Sequence, residues 1–172
     1  MSAEGARHFK SANPLAGRQV AARKAMPADV GQMCQIINQY AEKQLMLPKT
    51  HLQLYEFLRD YTVATDSNNA GSILGCGALH LYWENLAEIR AVAVSPRATR
   101  HGVGTMIVEG LLAEAREYHL EQVFVFTYAP KFFSRFGFIQ VEHGTMPLKV
   151  YNECFHCPKF NTCDELAMVL HL

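Results

Sequence analysis

Neither sign of charge is in excess in this sequence: 16 Lys and Arg stand against 16 Asp and Glu over 172 residues. Affinity for a phosphate backbone accumulates from positive charge, so the balance sets nucleic acid aside as a partner. Long apolar runs are also missing. The longest candidate, Ile73 to Trp83, contains His80 and falls short of the ~18–20 residues a bilayer span needs, so no membrane helix is expected. No apolar stretch follows the charges of Met1 to His8, which argues against a secretory signal and for the cytoplasm. The chain lacks internal repeats, and its five cysteines (Cys34, Cys76, Cys154, Cys157, Cys163) are an odd number, so it need not rely on a disulfide framework.

What is present describes an ordinary globular protein. At 49% hydrophobic, 10% aromatic and 19% charged residues, the chain can bury a core. Its length, at ~100–200 residues per domain, suits one domain. Residues 1–17 mix Ser, Ala, Gly, Asn and Pro without periodicity and read as a flexible leader. Residues 18–172 read as a single domain that includes a Cys-containing segment at 150–164.

Local patterns predict its elements. A short strand over 19–25 precedes a helix start at Met26-Pro-Ala-Asp, and Ile36, Ile37, Tyr40 and Ala41 supply that helix with an apolar face. A second short helix is expected over 52–58. Tyr61 to Thr65, Ile73 to Trp83 and Ala87 to Val94 then read as three antiparallel strands. Val103, Ile107, Leu111 and Ala115 mark one face of the longest helix. Val123 to Phe126 reads as a buried strand, Pro130 to Phe136 as a short helix closed by Gly137, and two further strands follow. The sum is an α+β fold: a mixed, mostly antiparallel central sheet flanked by helices.

The chemistry concentrates where a strand meets the long helix, at Val94-Ser-Pro-Arg-Ala-Thr-Arg-His-Gly-Val-Gly-Thr. Gly102 and Gly104 allow close backbone approach, and the first N–H groups of a helix lack internal partners. Such an end normally recruits an acid. Here Thr105 to Val108 hold none, while Arg97, Arg100 and His101 stand just before, so the site is open to an external anion such as a pyrophosphate. The alternative is a glycine-rich helix entry with solvated arginines. No Gly-Lys-Ser/Thr follows, and the preceding strand comes from a meander, which weakens nucleoside triphosphate and dinucleotide readings.

With the hairpin, a strand ending Ala-Val-Ala-Val, this Gly-x-Gly helix entry and Phe132-Phe-Ser-Arg-Phe-Gly-Phe, residues 18–142 resemble the GNAT superfamily of acyl-CoA-dependent N-acetyltransferases. The resemblance implies acetyl-CoA as cosubstrate. Its pyrophosphate would rest on backbone amides of Arg100, His101, Gly102, Val103, Gly104 and Thr105, and its pantetheine arm would pair with Val92, Ala93 and Val94. One departure stands out: Thr99 occupies the position where the family usually has Arg or Gln, with Arg100 one place later.

Acetyl transfer to an amine needs a base to take the ammonium proton. Period-two alternation places Glu88, Arg90, Val92 and Val94 on one face of their strand. The resemblance implies Glu88 as that base; the other reading is a surface acid paired with Arg90. Many relatives supply a tyrosine as acid where this sequence has Phe133, which leaves Tyr128 or a water to meet the thiolate. Phe132, Phe133, Phe136 and Phe138 read as core.

Gly75-Cys-Gly-Ala-Leu-His, Ala87 to Val94, Thr99 to Gly104 and Phe126-Thr-Tyr are similar to the acetyltransferase domain of N-acetylglutamate synthases. This implies transfer to L-glutamate, the first step of arginine biosynthesis, directly in a ternary complex. Two carboxylates call for cations, and Arg90, Lys131, Arg135 and Lys149 are candidates as well as ordinary solvated charges. Acceptors such as polyamines would favour acidic pockets instead. Cys154, Cys157 and Cys163 leave two readings, a structural metal completed by His156, His143 or Asp164, or reduced thiols in a packed loop. No metal ligand is assigned. A non-enzymatic zinc-binding module is the reading outside the enzyme class, and a homodimer is compatible with the sequence.

Overall fold

A computed structural model describes residues 20–69, 71–147, 155, 157 and 159–172. The leader expected over 1–17, and Lys149, Cys154 and His156, lie outside the described residues. The described residues pack in two compact units, one of those up to Ala78 together with Ala91–Glu114, the other of Leu79–Arg90 together with those from Ala115 on.

In the first unit, β1 (Val20–Lys24) pairs antiparallel with β2 (Tyr61–Asp66), and β2 pairs antiparallel with the first half of β3 (Ile73–Trp83). Between β1 and β2 lie α1 (Val30–Ala41) and α2 (His51–Glu56). The expected helix start at Met26 is a 3-10 turn, Pro27–Asp29, that leads into α1. Asp29 does not simply face the helix dipole there. Its carboxylate accepts two hydrogen bonds from Arg23, at 2.6 and 2.9 Å, and one from the Met26 N–H at 2.7 Å. Burial pushes this carboxyl up, but the Arg23 and Met26 bonds outweigh burial and hold it below the ordinary carboxylate range.

The core of this unit forms where α1 lays Val30, Met33, Cys34 and Ile37 on Tyr61, Val63, Cys76 and Ala78 of the sheet. Thr50 caps α2, its hydroxyl accepting from the Gln53 N–H at 3.2 Å. On α3 (Val103–Glu117), the expected apolar face holds: Val103, Ile107, Leu111 and Ala115 are all buried. Each of the three larger side chains contributes about 1.5–3 kcal/mol by leaving water. Two glycines of β3 set how closely α3 approaches. A Cβ on Gly75 would stand 2.8 Å from the Ala93 carbonyl oxygen and 3.0 Å from Ile107, and one on Gly77 would stand 2.8 Å from Ile107.

In the second unit, β4 (Leu86–Val94) begins with a parallel register to β5 (Gln122–Thr127), from Leu86 opposite Gln122 to Glu88 opposite Phe124. α4 (Pro130–Ser134) follows β5, then Gly137 at φ 92, where only a residue free of a Cβ turns cheaply. β6 (Ile139–Val141) and β7 (Leu166–His171) pair antiparallel, and β7 pairs antiparallel with β5. Leu86, Phe124, Met146 and Val169 form the second core, with Tyr82 and Phe126 against it. Phe133 and Phe138 are buried as expected, whereas Phe132 and Phe136 are half-buried.

The sheet has seven strands in the order β1-β2-β3-β4-β5-β7-β6, mostly antiparallel, with four helices among the described residues. This is the α+β architecture expected from the sequence. No helix among the described residues is long and apolar enough to cross a membrane.

Candidate active site

The turn from β4 to α3 reverses its backbone twice before the helix begins. Arg100 (φ 64) and Gly102 (φ 77) both adopt the left-handed conformation, two residues apart, immediately before the helix. The helical ladder opens with the Met106 N–H donating to the Gly102 carbonyl at 2.9 Å. The N–H groups of Val103, Gly104 and Thr105 therefore precede it, at the positive end of a 15-residue helix with no acid in its first turn. Arg100 and His101 are exposed, Gly102, Gly104 and Thr105 half-buried, and Val103 buried. Main-chain donors, helix dipole and accessible cations together fit a diphosphate.

Arg97 has a different task from its neighbours. Its guanidinium donates to the Ser72 hydroxyl at 2.6 Å and to the Ile73 carbonyl at 3.4 Å, which ties the turn to the start of β3. The Ser95 N–H donates to the Leu74 carbonyl at 2.8 Å and strengthens that tie. At the end of β4 the Tyr40 hydroxyl donates to the Val94 carbonyl at 2.7 Å. Tyr40 read as part of an apolar helix face from sequence; its polar tip carries this second role.

Val92 and Val94 are half-buried and Ala93 is buried. Ala93 packs with the α1 core, whereas Val92 lies near the Gly77 position that Ile107 and Leu111 of α3 also approach. Between Arg90 and Val92, inside the continuous strand, Ala91 adopts a left-handed φ of 52. Along the strand Glu88, Arg90, Val92 and Val94 are all half-buried, whereas Ala87, Ile89 and Ala93 are buried, the two-residue rhythm expected from the sequence.

The cofactor-binding candidates Val92 to Val94 and Arg100 to Thr105 all belong to the first unit. Glu88, Arg90, Tyr128, Lys131 and Arg135 belong to the second. Glu88 is half-buried on β4 and accepts a hydrogen bond at Oε2 from the Tyr82 hydroxyl, at 3.2 Å. Sequence reading missed Tyr82; the signal was its place six residues before Glu88, across the short turn at Glu84 and Asn85. Arg90 is half-buried, and Lys131 and Arg135 are exposed on and just after α4.

Tyr128 follows β5 and donates its hydroxyl proton to Asp164 Oδ1 at 2.6 Å, while Lys159 donates to the Tyr128 oxygen at 3.2 Å. Burial and the Asp164 bond push this phenol above its ordinary value, so it stays protonated at neutral pH. To protonate a thiolate it would first have to exchange Asp164 for that partner. The hydrogen-bonded trio instead ties the start of the last segment to the end of β5.

Within the second unit, an open cleft of about 520 Å³ lies along Glu142, His143, Cys163, Asp164 and Glu165. Burial raises the Glu165 carboxyl, and the exposed Glu142 and Asp164 add negative charge, which is the wrong sign for a diphosphate or a dicarboxylic acid. Among the described residues no three His, Cys, Asp or Glu side chains gather to hold a metal; Cys154 and His156 lie outside them.

The α+β fold and the acid-free opening of α3 suit an acyl-CoA-dependent transferase. Residues 32–138 match the acetyltransferase (GNAT) family, and the chain belongs to it, with acetyl-CoA as its cosubstrate. An amino-acid acetyltransferase of Mycobacterium tuberculosis is 41% identical over 131 residues, which cover 76% of this chain and 75% of the relative. An uncharacterized N-acetyltransferase of Chlorobaculum tepidum is 36% identical over 147 residues, 86% of this chain and 93% of that one. Among solved structures, a Mycobacterium tuberculosis protein in complex with CoA and NLQ aligns with a TM-score of 0.77 at 36% identity, covering 88% of this chain and 99% of that one. The N-acetylglutamate synthase of Neisseria gonorrhoeae, complexed with coenzyme A and N-acetyl-glutamate, shares the fold with a TM-score of 0.79 at 20% identity, over 90% of this chain and 35% of that one.

Proposed function

We propose that the chain transfers the acetyl group of acetyl-CoA to the amino group of a small amino acid, L-glutamate first, directly in a ternary complex. The acid-free opening of α3 behind left-handed Arg100 and Gly102 carries this reading, because it suits the cosubstrate's diphosphate. The amino-acid acetyltransferase at 41% identity supports an amino-acid acceptor. N-Acetylglutamate would then be the product and arginine biosynthesis the setting, in the cytoplasm, and the chain would work alone or as a homodimer.

In this scheme the main-chain N–H groups from Arg100 to Thr105 hold the pyrophosphate, and Val92, Ala93 and Val94 offer strand hydrogen bonds to the pantetheine arm. Glu88 takes a proton from the acceptor's ammonium group. The neutral nitrogen attacks the thioester carbon, a C–N bond forms, the nitrogen gives up its second proton to water, and the C–S bond breaks to release CoA as thiolate. Water or Tyr128 returns a proton to sulfur, Tyr128 only after it leaves Asp164. Arg90, Lys131, Arg135 and Lys149 are the cations available to the acceptor's carboxylates.

The test is to incubate the protein with acetyl-CoA and each common amino acid and to follow thiol release and product mass. Turnover that depends on glutamate and collapses in Glu88→Gln, while acetyl-CoA still binds by calorimetry, is the expected result. Turnover with another amino acid alone would reassign the acceptor, and absence of CoA binding would end the proposal.

A further inference from the structure

We propose that Tyr82 is a positioning residue for Glu88; this rests on the reading of Glu88 as the base. The contact is the hydrogen bond from the Tyr82 hydroxyl to Glu88 Oε2 at 3.2 Å. What makes the donor effective is how firmly its ring is held. His80 meets Tyr82 edge-on, with ring centroids 5.0 Å apart and planes at 89°. Phe124 packs on it at 5.5 Å. Phe124 itself is 1% exposed in the core with Leu86, Met146 and Val169. The row of rings continues from Phe124 to Phe126 at 5.7 Å and from Phe126 to His143 at 5.3 Å.

A tyrosine has two side-chain torsions, and packing on both sides of this one fixes them. Glutamate has three, and holding its carboxylate in one direction carries an entropic cost. The Tyr82 hydroxyl at Oε2 favours one direction of the carboxylate before substrate arrives. Preorganisation of this kind acts on the chemical step, since a base displaced by about 1 Å can lose up to ~10²-fold in rate. The hydroxyl touches the carboxylate rather than the reacting atoms, so it acts through Glu88.

Tyr82→Phe keeps the ring and its packing and deletes only the donor. With acetyl-CoA and the accepted amino acid, kcat should fall roughly 5- to 50-fold, within the range misplacement of a base produces. The KM for the amino acid and the calorimetric Kd for acetyl-CoA should stay within about twofold, since neither ground-state complex needs the hydroxyl. Glu88→Gln should cost about 10²-fold or more, and the double variant Glu88→Gln with Tyr82→Phe should be no slower than Glu88→Gln alone. An unchanged kcat in Tyr82→Phe beside a collapsed Glu88→Gln overturns the positioning role and leaves the base in place. A double variant slowed by the full additional Tyr82 factor also overturns it. Parental kcat in Glu88→Gln removes the base reading itself, and this inference with it.

Discussion

The hydroxyl of Tyr40, on α1, donates to the main-chain carbonyl of Val94, the last residue of β4, at 2.7 Å. One side chain thus fastens the strand end that leads into the turn before α3. Tyr40→Phe keeps the ring and loses the bond, so stability should fall by about 0.5–1.5 kcal/mol, as for a typical hydrogen bond. Urea unfolding should register it as a lower midpoint with an unchanged slope.

Gly75→Ala should be far more damaging than its size suggests. The new methyl would meet a main-chain oxygen at 2.8 Å, which cannot rotate away, as well as Ile107 and Val103 of α3. A loss of about 1–3 kcal/mol is expected. Gly31→Ala supplies the control, because nothing lies within 4 Å of its Cβ position. In the helix that change should stabilise by about 0.4–1 kcal/mol. Paired unfolding curves separate crowding from any general effect of replacing glycine.

At the start of α3 a single substitution should pull stability and binding in opposite directions. Thr105→Asp puts a negative charge in a first turn that has none. The helix should gain about 0.3–1 kcal/mol from its dipole, while the diphosphate of CoA meets a like charge. Calorimetry should show CoA affinity reduced by about tenfold or more, the equivalent of ~1.4 kcal/mol, and the melting temperature of the free protein should not fall. Loss of both would mean that the substitution simply damages the turn.

Asp29 sets an acid limit to folding. Burial raises its carboxyl, but Arg23 and the Met26 N–H bring the balance below the ordinary value. The unfolded chain, near the usual ~3.9, therefore takes up the proton first as pH falls. The stabilisation from Asp29 is complete above that value and is lost as pH drops through the lower folded-state pKa. Asp29→Asn should cost about 1–3 kcal/mol at neutral pH, where a charge-assisted bond is lost. The difference in melting temperature between parent and variant should shrink progressively on acidification below about pH 4.

Much of the sheet was legible because its cues are local. Val103, Ile107, Leu111 and Ala115 announce a buried helix face by spacing alone. Ala91 gave no such signal: alanine normally avoids positive φ, so no pattern in the strand predicts a left-handed residue there. Tyr40 and Tyr82 share another difficulty. Each ring follows the apolar pattern, but the destination of its hydroxyl depends on residues brought near by folding. Asp29 looked like a helix-start acid because Arg23, its actual partner, sits on the preceding strand.

The bend at Ala91 has a mechanical meaning. Glycine would adopt φ 52 freely; alanine bears a strain of roughly 1–2 kcal/mol there and persists only because its surroundings enforce it. Glycine would make this point a loose joint, whereas alanine's narrow torsional well makes it a stiff elbow. The main chain at Ala91 itself is thereby confined to one narrow range of torsion.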